Sequence, residues 1–117
     1  MIQFNRLDHI LISIPEQKTS EARTFYSQVL GLSEIPGNHP GGAIWFDIAD
    51  IQLHLREETG GNWSLRHPAF EVSNLAEARQ ELEQKGVEIT YSSIIEGRDR
   101  FFIRDPFGNR IEFIQYE

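Results

Sequence analysis

Short runs in which apolar and polar positions alternate are the main feature of the chain, and they predict a series of β-strands. The predicted strands lie near 7–14, 33–35, 43–47, 51–56, 66–72, 87–91, 100–104 and 110–116. Between the first two strands, apolar residues recur at helical spacing and predict a helix that Gly31 ends. The buried face of that predicted helix is formed by Ala22, Phe25, Tyr26, Val29 and Leu30.

A second helix is predicted further along the chain. Asn74 is a typical N-cap, Glu77 follows it by three residues, and Gly86 marks the end of the helix. The apolar positions on one face of this helix are Leu75, Ala78 and Leu82.

The chain also matches itself at an offset of 58 residues, which indicates an internal duplication. Residues 7–9 fall on 65–67, and residues 51–55 fall on 109–113. Each half then reads as β-α-β-β-β. We therefore predict one α+β domain over 1–117, built from modules at about 1–58 and 59–117. The two modules are expected to pair into a curved mixed sheet with the helices outside.

Composition excludes several classes of function. Hydrophobic residues make up 39% and charged residues 25% of the 117 residues, as in ordinary globular domains. The net charge of -7 opposes binding to nucleic acid, and the lack of cysteine excludes disulfides, thiolate metal sites and cysteine nucleophiles. The N-terminal segment has no basic region before a long apolar run, so a cytoplasmic protein without membrane contact is expected.

Four potential metal ligands lie on the strand faces that point away from the predicted helices, namely His9, His54, His67 and Glu112. His9 and His54 are 45 positions apart, and so are His67 and Glu112. A duplication predicts this equality. Three imidazoles and a carboxylate suit a divalent ion such as zinc, iron, manganese, nickel or cobalt, whose ligand preferences overlap.

Other polar and aromatic residues allow more than one interpretation. Arg56 and Arg110 could clamp a substrate carboxylate or phosphate, or they could pair with the acidic surface. His39 lies in a Gly/Pro-rich loop without a counterpart in the repeat, which favours a structural role. The aromatic pairs at 45–46 and 101–102 alternate faces, so one member of each pair is expected in the core and the other could line a pocket.

The two βαβββ modules, the early histidine, the segment HPAFEV at 67–72 and the closing segment DPFGNRIEF at 105–113 together resemble the vicinal oxygen chelate superfamily. That superfamily includes glyoxalases, extradiol dioxygenases, epimerases, fosfomycin-modifying transferases and bleomycin-binding proteins. The resemblance covers nearly the whole chain. It implies a fold of paired modules, a small-molecule substrate and a homodimer, with the site within one chain or across the dimer.

Carried onto this sequence, the superfamily's metal positions fall on His9, His54, His67 and Glu112. Glyoxalase-type members usually carry a carboxylate or amide where this chain has His54. This difference weakens the case for a reaction on glutathione adducts. His9, His67 and Glu112 alone resemble the two-histidine, one-carboxylate set of dioxygenases and fosfomycin-modifying relatives. Glu112 or His54 would serve as the acid/base residue.

The resemblance favours a metal-dependent enzyme of lyase or isomerase type that chelates two neighbouring oxygens of a small substrate. An extradiol-type dioxygenase and a fosfomycin-type transferase are alternatives with the same ligands. A metal-free small-molecule-binding protein of the bleomycin-resistance kind is a further alternative, as is a scaffold whose histidines are only polar positions of a sheet.

Overall fold

In the computed structural model, which describes residues 1–117, seven strands and two α-helices follow in the predicted order. Contacts between Cα atoms divide the chain into two units, Met1–Gly61 and Asn62–Glu117. The elements of the first unit are β1 (His9–Ile14), α1 (Thr19–Thr24), a π-helical segment (Phe25–Val29), β2 (Ser33–Ile35), a 3-10 turn (Pro40–Gly42), β3 (Ile44–Ile48) and β4 (Ile51–Glu57). The elements of the second unit are β5 (Ala69–Glu71), α2 (Leu75–Gln84), β6 (Arg98–Arg104) and β7 (Arg110–Tyr116).

Each unit contains one mixed sheet. The first sheet has the order β1-β4-β3-β2, in which β1 runs parallel to β4 and the other neighbours are antiparallel. The second sheet has the order β5-β7-β6, with β5 parallel to β7 and β6 antiparallel to it. The predicted α+β class is confirmed, because each unit combines one mixed sheet with one α-helix.

The core of the first unit lies on the face of the sheet that the alternation pattern predicts. Ile14, Leu53 and Leu55 are fully buried, whereas Leu11 on the opposite face of β1 is exposed. Tyr26 from the helical segment is also fully buried and lies near the Phe46 ring. Burial of these large side chains is the main favourable term for this unit.

The first helix differs from the prediction in its second half, where the backbone widens into a π-helical segment. The N–H of Leu30 donates to the carbonyl of Phe25, five residues back. Within the same stretch the Ser27 hydroxyl donates to the Arg23 carbonyl at 2.6 Å. Thr24 donates to the Ser20 carbonyl in the same way within the regular part of the helix, so such a bond accompanies the widening without accounting for it.

In the second unit, α2 begins as predicted, because Asn74 Oδ1 accepts a hydrogen bond from the N–H of Glu77 at 3.0 Å. Two predicted strands are shorter than expected. The segment 87–91 contributes only an isolated bridge between Thr90 and Phe102. Strand β5 begins after Pro68, which has no N–H to donate to the ladder.

The hairpin between β6 and β7 sets the register that the candidate site depends on. Asp105 Oδ1 accepts hydrogen bonds from the N–H groups of Phe107 and Asn109, and Gly108 has a φ of 97°, which favours glycine. This turn places Phe102 directly opposite Glu112. None of the helices is long and apolar enough to span a membrane.

Candidate functional site

The first unit brings His9 and His54 together. Strands β1 and β4 are parallel neighbours, and their register places Leu11 beside His54 and His9 beside Gln52. The two imidazole rings stack with their centroids 4.2 Å apart and an angle of 16° between their planes. Their ring nitrogens therefore lie side by side on one face of the sheet.

This stack continues through two more rings. The Trp45 indole lies 4.0 Å from His54 at an angle of 3°, and His39 stacks on the other face of Trp45 at 4.0 Å and 9°. Trp45 and His54 are direct cross-strand partners on β3 and β4. Four rings thus form one continuous stack, which we call the ring stack: His9, His54, Trp45 and His39.

Hydrogen bonds fix one nitrogen of each imidazole in the His9–His54 pair. His9 Nδ1 lies 2.8 Å from Asp8 Oδ2, and this hydrogen bond is the main cause of a lowered pKa for Asp8. His54 Nε2 lies 3.0 Å from Gln52 Oε1. With these nitrogens as donors, the lone pairs available for other contacts are on His9 Nε2 and His54 Nδ1.

His54 is the more buried member of this pair, with only 7% of the residue exposed. Burial is the main cause of a pKa below its usual 6.5, and the neighbouring charge of protonated His9 lowers it further. Both effects disfavour a proton on His54, so the ring is neutral near pH 7.

The second unit brings His67 and Glu112 together. His67 Nε2 lies 2.9 Å from Glu112 Oε1, and His67 Nδ1 donates to the Leu65 carbonyl at 2.8 Å. The carboxylate is nearly buried, with 7% of its side chain exposed, against 26% for His67. Both nitrogens of His67 thus face oxygen acceptors.

Arginine side chains surround this second pair. Arg100 Nη1 donates to Glu112 Oε1 at 3.4 Å, and Arg100 Nη2 donates to the Ser93 carbonyl at 2.9 Å. The Arg110 guanidinium lies 3.8 Å over the Phe102 ring, against which His67 also packs edge-on at 5.1 Å. Two arginines therefore lie beside the His67–Glu112 pair, and the Phe102 ring packs against both Arg110 and His67.

The four predicted ligands form two pairs, one in each unit. In neither unit do three or more His, Asp or Glu side chains form a group that could hold a metal ion. Of the two predicted substrate-binding arginines, Arg110 contacts the second pair, whereas the Arg56 guanidinium lies against Gly41. A Cβ at Gly41 would meet only the flexible end of this exposed arginine, which can move, so it is the φ of 67° at Gly41 that favours glycine.

Sequence reasoning missed Arg100 and the role of Trp45 and His39. Arg100 could have been found from the predicted hairpin, since two positions before Phe102 on β6 place it on the same strand face. Trp45 was expected either in the core or in a pocket. The register of β3 with β4 places it directly beside His54. The loop that carries His39 gives no periodic signal, so its stacking on Trp45 had no sequence signature.

Comparison with known proteins places the fold. A sequence model described as "Glyoxalase/Bleomycin resistance protein/Dioxygenase superfamily" matches residues 6–113. Among curated protein sequences, none matches the chain. A solved structure from Bacillus anthracis, described as a glyoxalase family protein, is 34% identical with a TM-score of 0.91, and the match covers 100% of this chain and 99% of that one.

Two more distant structures share the fold. The antibiotic-binding protein TnmS3 from Streptomyces sp. CB03234 is 16% identical with a TM-score of 0.81, and both chains are covered completely. A lactoylglutathione lyase from Agrobacterium tumefaciens is 20% identical with a TM-score of 0.72, covering 94% of this chain and 92% of that one. The family match over nearly the full length, together with the paired strands and helices described above, shows that this chain belongs to the glyoxalase/bleomycin resistance protein/dioxygenase superfamily.

Proposed function

We propose that the chain is a metal-dependent enzyme of lyase or isomerase type that acts on a small substrate with two neighbouring oxygens. In this proposal His9, His54, His67 and Glu112 bind one divalent metal ion. The ion is zinc, iron, manganese, nickel or cobalt, which share a preference for such nitrogen and oxygen ligands.

The observation that carries the proposal is the hydrogen bonding of the three histidines. His9, His54 and His67 each have one ring nitrogen within 3.0 Å of an oxygen acceptor in their own unit. Metal-binding histidines typically donate one ring N–H to a carboxylate, carbonyl or similar group, which orients the other nitrogen toward the ion. Three histidines at repeat-related positions share this arrangement.

The contact between His67 and Glu112 fits the same interpretation. His67 Nδ1 donates to a carbonyl, so Nε2 and the carboxylate oxygen can approach to 2.9 Å only with a proton between them. A metal cation can take the place of that proton when both atoms become ligands. In the other pair the stacked rings of His9 and His54 must tilt relative to each other for their lone pairs to meet at one ion.

A bound divalent ion would supply Lewis-acid stabilisation of negative charge on substrate oxygens. The chain itself supplies the groups that hold and move protons. All described contacts of the Glu112 carboxylate use Oε1, which leaves Oε2 to accept a proton from a substrate carbon. If His9, His67 and Glu112 alone hold the ion, His54 Nδ1 is the second candidate acceptor, because its lowered pKa keeps it unprotonated near pH 7.

The two arginines named from the sequence have different places in this proposal. Arg110 lies 3.4 Å from His67 Nδ1 and faces the second pair, so it is suited to orient a substrate carboxylate or phosphate. Arg56 shares a strand with His54 but is exposed, so we assign it a weaker role in substrate binding.

Metal content tests the proposal directly. We would load wild type with each of the five metals, dialyse it, and measure metal per chain by mass spectrometry, alongside His67→Ala and Glu112→Ala. His39→Ala is the matched control, because His39 has no counterpart in the repeat. We expect a stoichiometric ion in wild type and in the control and its loss in the two ligand variants.

Iron as the retained metal would favour the extradiol-type dioxygenase, which oxygen consumption then tests. Retention of the other metals would favour isomerisation or, as in the fosfomycin-type transferase, thiol addition. Size measurements with and without metal would show whether the protein is the homodimer that the superfamily resemblance implies.

If no metal is retained stoichiometrically, the second candidate function replaces the first: metal-free binding of a small molecule. The ring stack favours this candidate, because a flat aromatic ligand can extend a row of parallel rings. A solved structure of this fold that is described as an antibiotic-binding protein supports the binding of a small molecule. Organic ligands that co-purify with the protein would then be identified by mass spectrometry.

A further inference from the structure

The second unit contains a cleft that the proposed metal ligands do not line. It lies between the first turns of α2, the segment 91–95 and strand β6, with a volume of about 790 Å³. Such a volume is in the range of small-molecule pockets. The cleft is formed by residues of the second unit alone.

Positive charge is concentrated on the walls of this cleft. Arg79, Arg98 and Arg100 line it, and Asp99 is the only acidic residue that does, although Arg79 also pairs with Glu83 outside the cleft. The whole chain has 11 basic and 18 acidic residues, so three arginines around one cleft run against the overall charge. Arginine presents planar donors that match carboxylate and phosphate oxygens.

Two of these arginines have donors without an acceptor. Arg98 Nε and Arg100 Nε are buried and form no hydrogen bond, although other nitrogens of both side chains are bonded. A buried donor without a partner costs free energy, so the protein satisfies these two guanidinium groups only in part.

The rim of the cleft is apolar and exposed. Ile94 is 98% exposed, and Tyr91 and Ile95 beside it are also exposed. Tyr91 is held in place by a hydrogen bond from Arg79 Nη1 to its hydroxyl oxygen at 2.9 Å. Exposed apolar side chains next to cationic groups favour a ligand that has an anionic head and an apolar body.

We propose that this cleft is a second binding site, for a small organic anion with an apolar chain. The anionic group, a carboxylate or a phosphate monoester, contacts Arg98 and Arg79, and the chain covers Ile94 and Tyr91. The cleft contains none of the proposed metal ligands and touches them only through Arg100, which bonds Glu112, so its occupancy does not require a metal ion.

The test is a titration of the full chain, followed by amide chemical shifts. Hexanoate and butyl phosphate are the probes, hexanamide is the uncharged match of hexanoate, and acetate and inorganic phosphate lack the apolar chain. We expect saturable shifts from hexanoate, from butyl phosphate or from both, confined to α2, the segment 91–95 and β6. Which probe binds more tightly identifies the anionic group.

Variants assign the binding to the cleft. Arg98→Gln is expected to weaken binding of the preferred probe about tenfold, as for the loss of a charge-assisted hydrogen bond. Arg79→Gln provides a second variant if the first is poorly folded. Arg23→Gln is the matched control, because Arg23 pairs with Glu34 in the other unit and lines no part of the cleft. Arg100 stays unaltered in all of them, because it contacts Glu112.

Three results would overturn the proposal. Shifts from hexanamide as large as those from hexanoate would show that the charge does not contribute to binding. An affinity for acetate or inorganic phosphate equal to that of the longer probes would show that the apolar rim does not contribute. Unchanged affinity in both cleft variants would show that the anion binds elsewhere.

Discussion

The pairs His9–His54 and His67–Glu112 occupy corresponding positions of the repeat but are stabilised in different ways. In the first unit, His54 is buried between two flat rings. In the second unit, Glu112 is buried against His67 and Arg100, so charge balances charge. One pair belongs to a stack of rings and the other is an ionic cluster.

The two modules share one feature and differ in another. The strand register is the same in both units: Leu11 lies opposite His54, and Ala69 lies opposite Glu112. The surroundings of the two pairs differ, because Trp45 stacks on His54 whereas Arg100 is the counter-ion of Glu112. We expect the two pairs to respond differently to substitution and to pH.

The largest effect is expected for Glu112→Gln, which removes the charge but keeps the volume. Arg100 has 14% of its side chain exposed and would lose its carboxylate partner. We expect a decrease in the free energy of unfolding of about 2 kcal/mol, typical for loss of a hydrogen bond between charged groups. Urea unfolding followed by circular dichroism measures it.

Glu71→Gln on the neighbouring strand β5 is the control, because Glu71 is exposed and forms no ion pair in the structure. Its effect should stay below about 0.5 kcal/mol. Equal effects of the two substitutions would mean that the ionic cluster contributes nothing to stability.

The ring stack is broken most directly by Trp45→Ala, which removes the contacts of Trp45 with both His54 and His39. Each aromatic pair typically contributes about 0.5–1.5 kcal/mol, so we expect a loss of about 1–3 kcal/mol from the two pairs. The same substitution exposes His54 and should raise its pKa toward 6.5, since burial is the main cause of the lowered value.

Proton NMR titration of the imidazole signals measures that pKa. Trp45→Phe is the matched variant, because it keeps a ring against His54 and should leave the pKa low. A His54 pKa that does not change in Trp45→Ala would show that the indole ring does not keep water from this histidine.

The pH dependence of stability should separate the two units further. The folded pKa of His54 lies below 6.5, so the unfolded chain binds a proton as the pH falls through 6.5 while the folded chain does not. The free energy of unfolding should therefore decrease as the pH is lowered from about 7 to 5. His54→Gln should remove this part of the slope, and an unchanged slope in that variant would contradict the burial of a neutral imidazole.

Much of the fold could be predicted because the decisive signals are local. Alternating apolar positions identified β1 and β4, and Asn74 identified the start of α2. The π-helical segment could not be predicted, because the change from i−4 to i−5 hydrogen bonds, such as that from Leu30 to Phe25, leaves no signal in the spacing of apolar residues. The segment 87–91 has strand-like residues but pairs only at Thr90, which sequence alternation cannot show.

The candidate site was predictable to a smaller extent. Repeat spacing identified the pairs His9–His54 and His67–Glu112, because parallel strands with the same register in both units bring these positions together. The groups around the pairs come from side-chain packing across strands and from a loop, as for Arg100 and His39. Those contacts depend on rotamers and register together, and neither is encoded in residue spacing.

The smallest effect tests whether Arg110 belongs to the ionic cluster or only lies on the surface. Its guanidinium lies 3.8 Å over Phe102, a geometry worth about 0.5–1 kcal/mol at exposed sites, so Arg110→Gln should decrease the free energy of unfolding by that amount. Arg56→Gln is the matched variant in the first unit, where the arginine is exposed and has no aromatic ring beneath it in the structure. Its effect should be below about 0.5 kcal/mol. Urea unfolding of both variants against wild type measures the difference, and equal values would show that the contacts of Arg110 with Phe102, Leu65 and His67 add nothing to stability.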